Sequence, residues 1–307
     1  MTIHNSSAAR RRVRSPQWNT PTIHVLAGAV LISFSGVWVK IADVSPVVSA
    51  FYRVFIGGII LLVAAAWHRE LTWQGFRSLM NGAVCGLIFA LDLFFWHRSI
   101  QYIGPGLSTI LGNFQVFLIT AIGVIFLGEK LRLRFASSIP LAMVGLFMIV
   151  GVRWDLLSMT YRAGIYYGLA TAVAYTLYLI TLRKFQSEQT GVSIFYVMTV
   201  VSFTTAAFLG MEILRSGDSF AIPSLKSAMS LAALGFFSQA IGWILITNAL
   251  PRIRASFAGM VLLIQPALAF VWDVLFFNRP TTLINWMGVC LALAGIYLGM
   301  TKSSGKR

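Results

Sequence analysis

The chain has 307 residues, of which 58% are hydrophobic and only 11% charged, with a formal net charge of +15. Soluble domains carry about 25% charged residues, so this composition excludes an ordinary globular protein. The basic residues fall between apolar blocks and accompany no nucleic-acid motif, which excludes nucleic acid as a partner and makes the lipid bilayer the expected one.

The apolar blocks have the length of a helix that crosses a hydrocarbon core of ~30 Å. They predict an all-α integral membrane protein with ten transmembrane helices, at roughly 23–42, 46–66, 78–97, 104–127, 136–151, 162–182, 193–213, 228–248, 255–277 and 284–301. A basic tail over 1–22 ends in "ARRRVR" and precedes a block of full spanning length with no clear cleavage signal. The first span holds "SFSG" (33–36), whose small residues permit bending, then Trp38 and Lys40. The second carries Arg53, and the third Asp92 and His97. "YIGPGLS" (102–108) follows, and its Gly104, Pro105 and Gly106 are either a hinge or a tight loop. The fourth span places the amides Asn113 and Gln115 where an unpaired group in hydrocarbon is costly. Tyr175 and Tyr178 share a face of the sixth span at i, i+3, and Gln239 and Trp243 share one of the eighth at i, i+4. The ninth carries Gln265, Pro266 and Asp273, with the proline permitting a kink. A second basic tail occupies 302–307.

Lysine and arginine are counted on alternate sides of ten spans. Sixteen fall on the side of the N-terminus, six on the other, and Lys40 and Arg53 lie within spans, which accounts for all 24. The positive-inside rule then puts both termini in the cytoplasm, as for a multi-pass protein of the bacterial inner membrane. On this topology Lys40, Arg53, Asp92, His97 and Asp273 lie in the outer half. They read as an outer gate or salt-bridge set, or as a site for substrate charges. Glu129, at the cytoplasmic end of the fourth span, is expected to pair with Lys130, Arg132 or Arg134.

An offset of 150 lays Gln115 on Gln265, Leu141 on Leu291 and Gly145 on Gly295. Each half then holds five spans. An odd number per half inserts the halves in opposite senses, the inverted repeat of many transporters, with a site near the midplane. The halves are expected at 23–151 and 162–301, around a central cavity. Trp38, Asn113, Gln115, Tyr175, Tyr178, Gln239, Trp243 and Gln265 are either helix-packing residues and interhelical glue or the walls of that cavity. Aromatic walls with a few amides suit an uncharged or zwitterionic solute with a sizeable apolar part, not a metal or a strong anion.

In order and spacing, "RVFIGGIILLVAA" (53–65), "GEKL" (128–131) and "GLFMIVG" (145–151), on paired five-span halves, resemble the EamA-type members of the drug/metabolite transporter superfamily. The likeness covers the chain after residue 20 and extends to the YddG-type exporters of aromatic and other amino acids. It implies outward transport of amino acids or similar small metabolites by alternating access, with no cofactor, by a chain that suffices as a monomer. Arg279 stands where the family often repeats the acidic residue of Glu129. No carboxylate falls at the midplane of this placement, so facilitated efflux is expected rather than proton coupling. An exporter of another amphipathic metabolite or drug is the alternative. An intramembrane enzyme lacks its motifs, since no G-x-S-x-G, H-E-x-x-H or midplane acid pair is present. The glycine pairs Gly82/Gly86, Gly164/Gly168 and Gly295/Gly299 have the spacing of close helix contacts.

Overall fold

The computed structural model describes residues 20–103, 105–150, 158–188 and 192–300. Among them, ten helical segments are long and apolar enough to cross a membrane. The first span is α1 (Thr20–Ser33) with α2 (Ser35–Ala42); α3 (Pro46–Trp67) and α4 (Phe76–Ile103) are the second and third. The fourth is α5 (Pro105–Gly112) with α6 (Gln115–Ile125), the fifth α7 (Leu133–Val150). In the second half follow α8 (Met159–Glu188) and α9 (Ile194–Ser216), then α10 (Leu225–Ala233), a π-helical segment (Leu234–Gly242) and α11 (Trp243–Ala249) as one span. The ninth is α12 (Ala255–Leu262) with α13 (Ile264–Phe277), the tenth α14 (Leu283–Met300).

Helix starts follow local chemistry. Ser45, Ser193 and Ser224 each accept from a backbone N–H three residues on, at 3.4, 3.2 and 3.1 Å, and so cap α3, α9 and α10. Pro46 stands at the first position of α3, where its missing N–H costs nothing.

The two halves are joined most closely through α7 and α14, which the repeat relates. A Cβ at Gly145 would sit 2.4 Å from the Ala292 nitrogen, and one at Gly295 2.7 Å from that of Ala142. The other predicted glycine pairs also face helices of the same chain. Gly82 and Gly86 press on Val200 and Thr204 of α9, and Gly164 and Gly168 on Tyr102, Ile103 and Leu111. In a bilayer such contacts supply dispersion and close backbone approach where the hydrophobic effect between helices is lost.

Candidate functional site

Four spans lose regular α geometry at mid-length, and the site is built there. In the fourth span α5 ends at Gly112; in the ninth α12 ends at Leu262, 150 residues later. At both, an N–H reaches back three residues rather than four: Phe114 to Leu111 O at 3.0 Å, and Leu263 to Met260 O at 3.2 Å. The first span breaks likewise at Phe34, whose N–H meets Leu31 O at 3.3 Å. The eighth passes through the π segment. The break in the ninth span falls in the turn before Pro266, whose ring lacks an N–H and crowds the carbonyl of Leu262 four residues back.

The repeat-related amides have different surroundings. Gln115 is fully buried, and its Nε2 donates to Gly259 O at 3.3 Å, tying α6 to α12. Its Oε1 has no partner among the described residues. Gln265 is half-buried, and its buried Nε2 has no hydrogen-bond partner among the described residues. Asn113 donates to Thr109 O at 2.8 Å, one turn back, at the end of α5.

Tyr178 is fully buried and stacks on Phe89 of α4 with ring centroids 4.6 Å apart. Trp243 presents its edge to Tyr178 at 5.0 Å, to Phe89 at 5.4 Å and to Tyr175 at 6.4 Å. These four rings form one cluster where α4, α8 and α11 meet. Gln239, on the π segment, donates to Ser202 of α9 at 3.0 Å with its Cβ against Gly57 of α3. Trp38 stacks on Phe237 of the π segment, 6.4 Å between centroids. Beside it lies a cluster that sequence reasoning missed. Trp272 stacks on Phe34 at 4.2 Å and donates to Ser33 Oγ at 2.8 Å, closing α13 onto the break of the first span. Trp272 is seven residues from Gln265, two helical turns, and that spacing could have found it.

The five predicted charges separate into two sets. Lys40 and Asp273 form a salt bridge at 2.8 Å between α2 and α13, which Arg279 joins at 3.4 Å, with Lys40 4.3 Å above the Phe277 ring. Arg53, Asp92 and His97 lie elsewhere. The Arg53 guanidinium lies within electrostatic reach of Tyr175, Tyr178 and Asp92, and Asp92 is 7% exposed. The 28-residue α4 runs six residues past the expected end of the third span, which leaves Asp92 eleven residues from its C-terminal end. His97 is buried, its Nδ1 2.5 Å from Leu93 O. A further pair, Arg98 with Glu212 at 2.9 Å, joins α4 to α9.

Glu129 does not pair with the neighbouring bases. Its carboxylate accepts from the backbone N–H groups of Ala255 at 2.6 Å and Ser256 at 3.2 Å, and from the Ser256 hydroxyl. It thus caps α12 from the end of the fourth span, where the free N–H groups and the helix dipole favour an anion. Arg254 donates to Lys130 O at 3.3 Å beside it. These contacts tie the end of the fourth span to the start of the ninth.

Of the expected hinge, Gly104 lies outside the described residues, Pro105 begins α5, and a Cβ at Gly106 would lie 3.1 Å from Val150. The surface clefts lie away from the centre. One of about 450 Å³ is lined by Arg69, Glu70 and the residues 192–195, and one of about 360 Å³ by Phe51, Phe55 and Phe203.

Ten spans with related breaks and a polar, aromatic centre describe a carrier. Residues 20–151 and 162–301 match the model of the EamA-like transporter family. The chain belongs to that family. It is 19% identical over 298 residues to an uncharacterized transporter of Bacillus subtilis (strain 168), covering 96% of this chain and 94% of that one. An uncharacterized transporter of Clostridium kluyveri is 24% identical over 255 residues, 78% of each chain. A solved protein structure superposes with a TM-score of 0.78 over 92% of this chain and 97% of the other, at 17% identity, which is a likeness of fold. The EamA chain is therefore a membrane transporter.

Proposed function

We propose that this EamA carrier exports amino acids, aromatic ones included, and related small metabolites by facilitative alternating access. The observation that carries the reading is a set of buried polar atoms without a partner among the described residues. They are Trp38 Nε1, Arg53 Nε, Gln115 Oε1, Tyr178 Oη, Gln239 Oε1, Trp243 Nε1 and Gln265 Nε2. Buried donors and acceptors in proteins are nearly always satisfied. A group of them around aromatic rings supports binding of a solute with several polar atoms and an apolar body. The solute enters when the fourth and ninth spans move about their breaks, and the halves 23–151 and 162–301 rock against each other.

The lysine and arginine count supports a cytoplasmic location for both termini, including the tails 1–22 and 302–307, in a bacterial inner membrane. The glycine faces turn inward, which supports a monomer as the working unit. Asp92 favours a second reading, a proton-coupled exporter of another amphipathic metabolite, because a carboxylate deep in the bundle can carry a proton across.

The test is counterflow in proteoliposomes with a panel of labelled aromatic and aliphatic amino acids and no ion gradient. Exchange accelerated by trapped unlabelled substrate is the expected result. No exchange for any amino acid overturns the cargo, and uphill transport driven by a pH gradient overturns the facilitative mechanism.

A further inference from the structure

Arg53 and Asp92 sit on a symmetric frame but are not themselves repeated. Matched helices begin 148 to 150 residues apart, as in Pro46 and Ile194, Phe76 and Leu225, or Leu133 and Leu283. At those offsets Arg53 meets Val201, Ser202 and Phe203, and Asp92 meets Ala240, Ile241 and Gly242, none of them charged. The first half alone brings a cation and an anion to the centre.

Their arrangement is unusual for charges inside a span. Arg53 is half-buried and its guanidinium lies within electrostatic reach of the Asp92 carboxylate, yet among the described residues no salt bridge within 4.0 Å joins them. Arg53 Nε is buried with no partner. The other polar groups facing them are the hydroxyls of Tyr175 and Tyr178, and of these Tyr178 Oη also has no partner. His97 is already held by the backbone carbonyl of Leu93. Buried opposite charges ordinarily close on each other, since contact offsets the desolvation of both. The more exposed pair, Lys40 and Asp273, does close, at 2.8 Å. The deeper pair is held near but open.

We propose that Arg53 and Asp92 form a subsite for a zwitterion, in which the Arg53 guanidinium takes the carboxylate of an α-amino acid and Asp92 takes its ammonium group. Tyr175 and Gln265 complete the polar rim, and the rings of Phe89, Tyr178 and Trp243 receive the side chain. An α-amino acid carries both charges on one carbon and so fits between two groups that are close but not bridged. An amine leaves Arg53 without a counter-charge, and a simple acid leaves Asp92 without one; either unpaired buried charge is penalised. The subsite rests on the amino-acid reading above and specifies which part of the substrate is recognised.

The full-length protein in proteoliposomes, exchanging labelled phenylalanine, is competed with unlabelled phenylalanine, phenethylamine or 3-phenylpropanoate. Phenylalanine is expected to compete better than either analogue by on the order of a hundredfold. Arg53→Gln should weaken phenylalanine by about tenfold or more and erase its advantage over phenethylamine, while sparing its advantage over 3-phenylpropanoate. Asp92→Asn should do the reverse. Variants that depress phenylalanine exchange while both preferences persist would reduce the pair to a structural role and overturn the proposal. Should Arg53→Gln fail to fold by size-exclusion chromatography, Asp92→Asn and Arg53→Lys decide. The lysine keeps the charge and must keep the preference for phenylalanine over phenethylamine; its loss sinks the proposal. Wild-type protein that exchanges no amino acid removes the cargo reading itself, whereas exchange indifferent to these variants removes only the subsite.

Discussion

The fourth and ninth spans break at positions that the repeat relates, yet the two breaks sit in different surroundings. At the fourth, Gln115 is fully buried and donates to Gly259 O at 3.3 Å, on the α12 side. At the ninth, Gln265 is half-buried, with a buried Nε2 that has no partner. The halves of the ninth span differ in the same way. Every residue of α12 but Phe257 is buried, and Glu129 caps its start, whereas from Ile264 to Asp273 only Ala267 and Phe270 of α13 are buried. The repeat doubles the backbone, and side chains then assign one copy to packing and leave the other available.

The strongest way to break this comparison is to force the packed end apart. A Cβ at Gly259 already falls 2.5 Å from Ile119 Cγ2. Gly259→Leu should therefore cost about 3 kcal/mol or more through overpacking, read as loss of monodisperse protein and a lowered thermal midpoint. If its stability is unchanged, the α6–α12 contact is not what closes this end.

Removal of the cap comes next. Glu129→Ala leaves the first N–H groups of α12 without their acceptor, and a lost cap costs about 1–2 kcal/mol. Thermal unfolding in detergent should show the decrease, and Glu129→Asp, one methylene shorter, should restore only part of it.

The two amides sharpen the comparison most directly. Gln115→Leu should lower stability by about 1 kcal/mol, the range of an interhelical hydrogen bond in a membrane. Gln265→Leu should leave stability within about 0.5 kcal/mol and instead raise the KM for exchange. Equal effects on both readouts would mean the breaks are functionally alike.

The smallest effect is expected at the exposed bridge. Lys40 is 54% exposed, and Lys40→Ala should change stability by no more than about 1 kcal/mol. A large loss would give the Lys40–Asp273–Arg279 set a greater part in holding α2 to α13.

Much of the fold was legible in the sequence, because a hydrocarbon core demands long apolar runs that satisfy their own backbone. The ten predicted spans each fall on one of the ten helical segments, with shifts at the ends such as the extension of α4 from 78–97 to Phe76–Ile103. The offset of 150 found the related breaks through Gln115 and Gln265. Pattern could not distinguish a glue amide from an available one, since that depends on which carbonyl lies opposite. Asn113 illustrates this: it is polar and mid-span, but it satisfies itself one turn back. The π segment that leads from Gln239 to Trp243 was likewise not legible in the pattern.

The sequence by itself determined a polytopic, all-helical membrane protein with an internal repeat and a basic bias to one side, because span length, hydropathy and charge are local properties of the chain. Tertiary structure alone decided that Lys40 and Asp273 bridge while Arg53 and Asp92 stay open, and that Glu129 caps a helix rather than pairing with its neighbours. Those outcomes join residues from 39 to 233 positions apart. The energy of a charge in a bilayer depends on what stands within a few ångströms of it, which chain order does not encode.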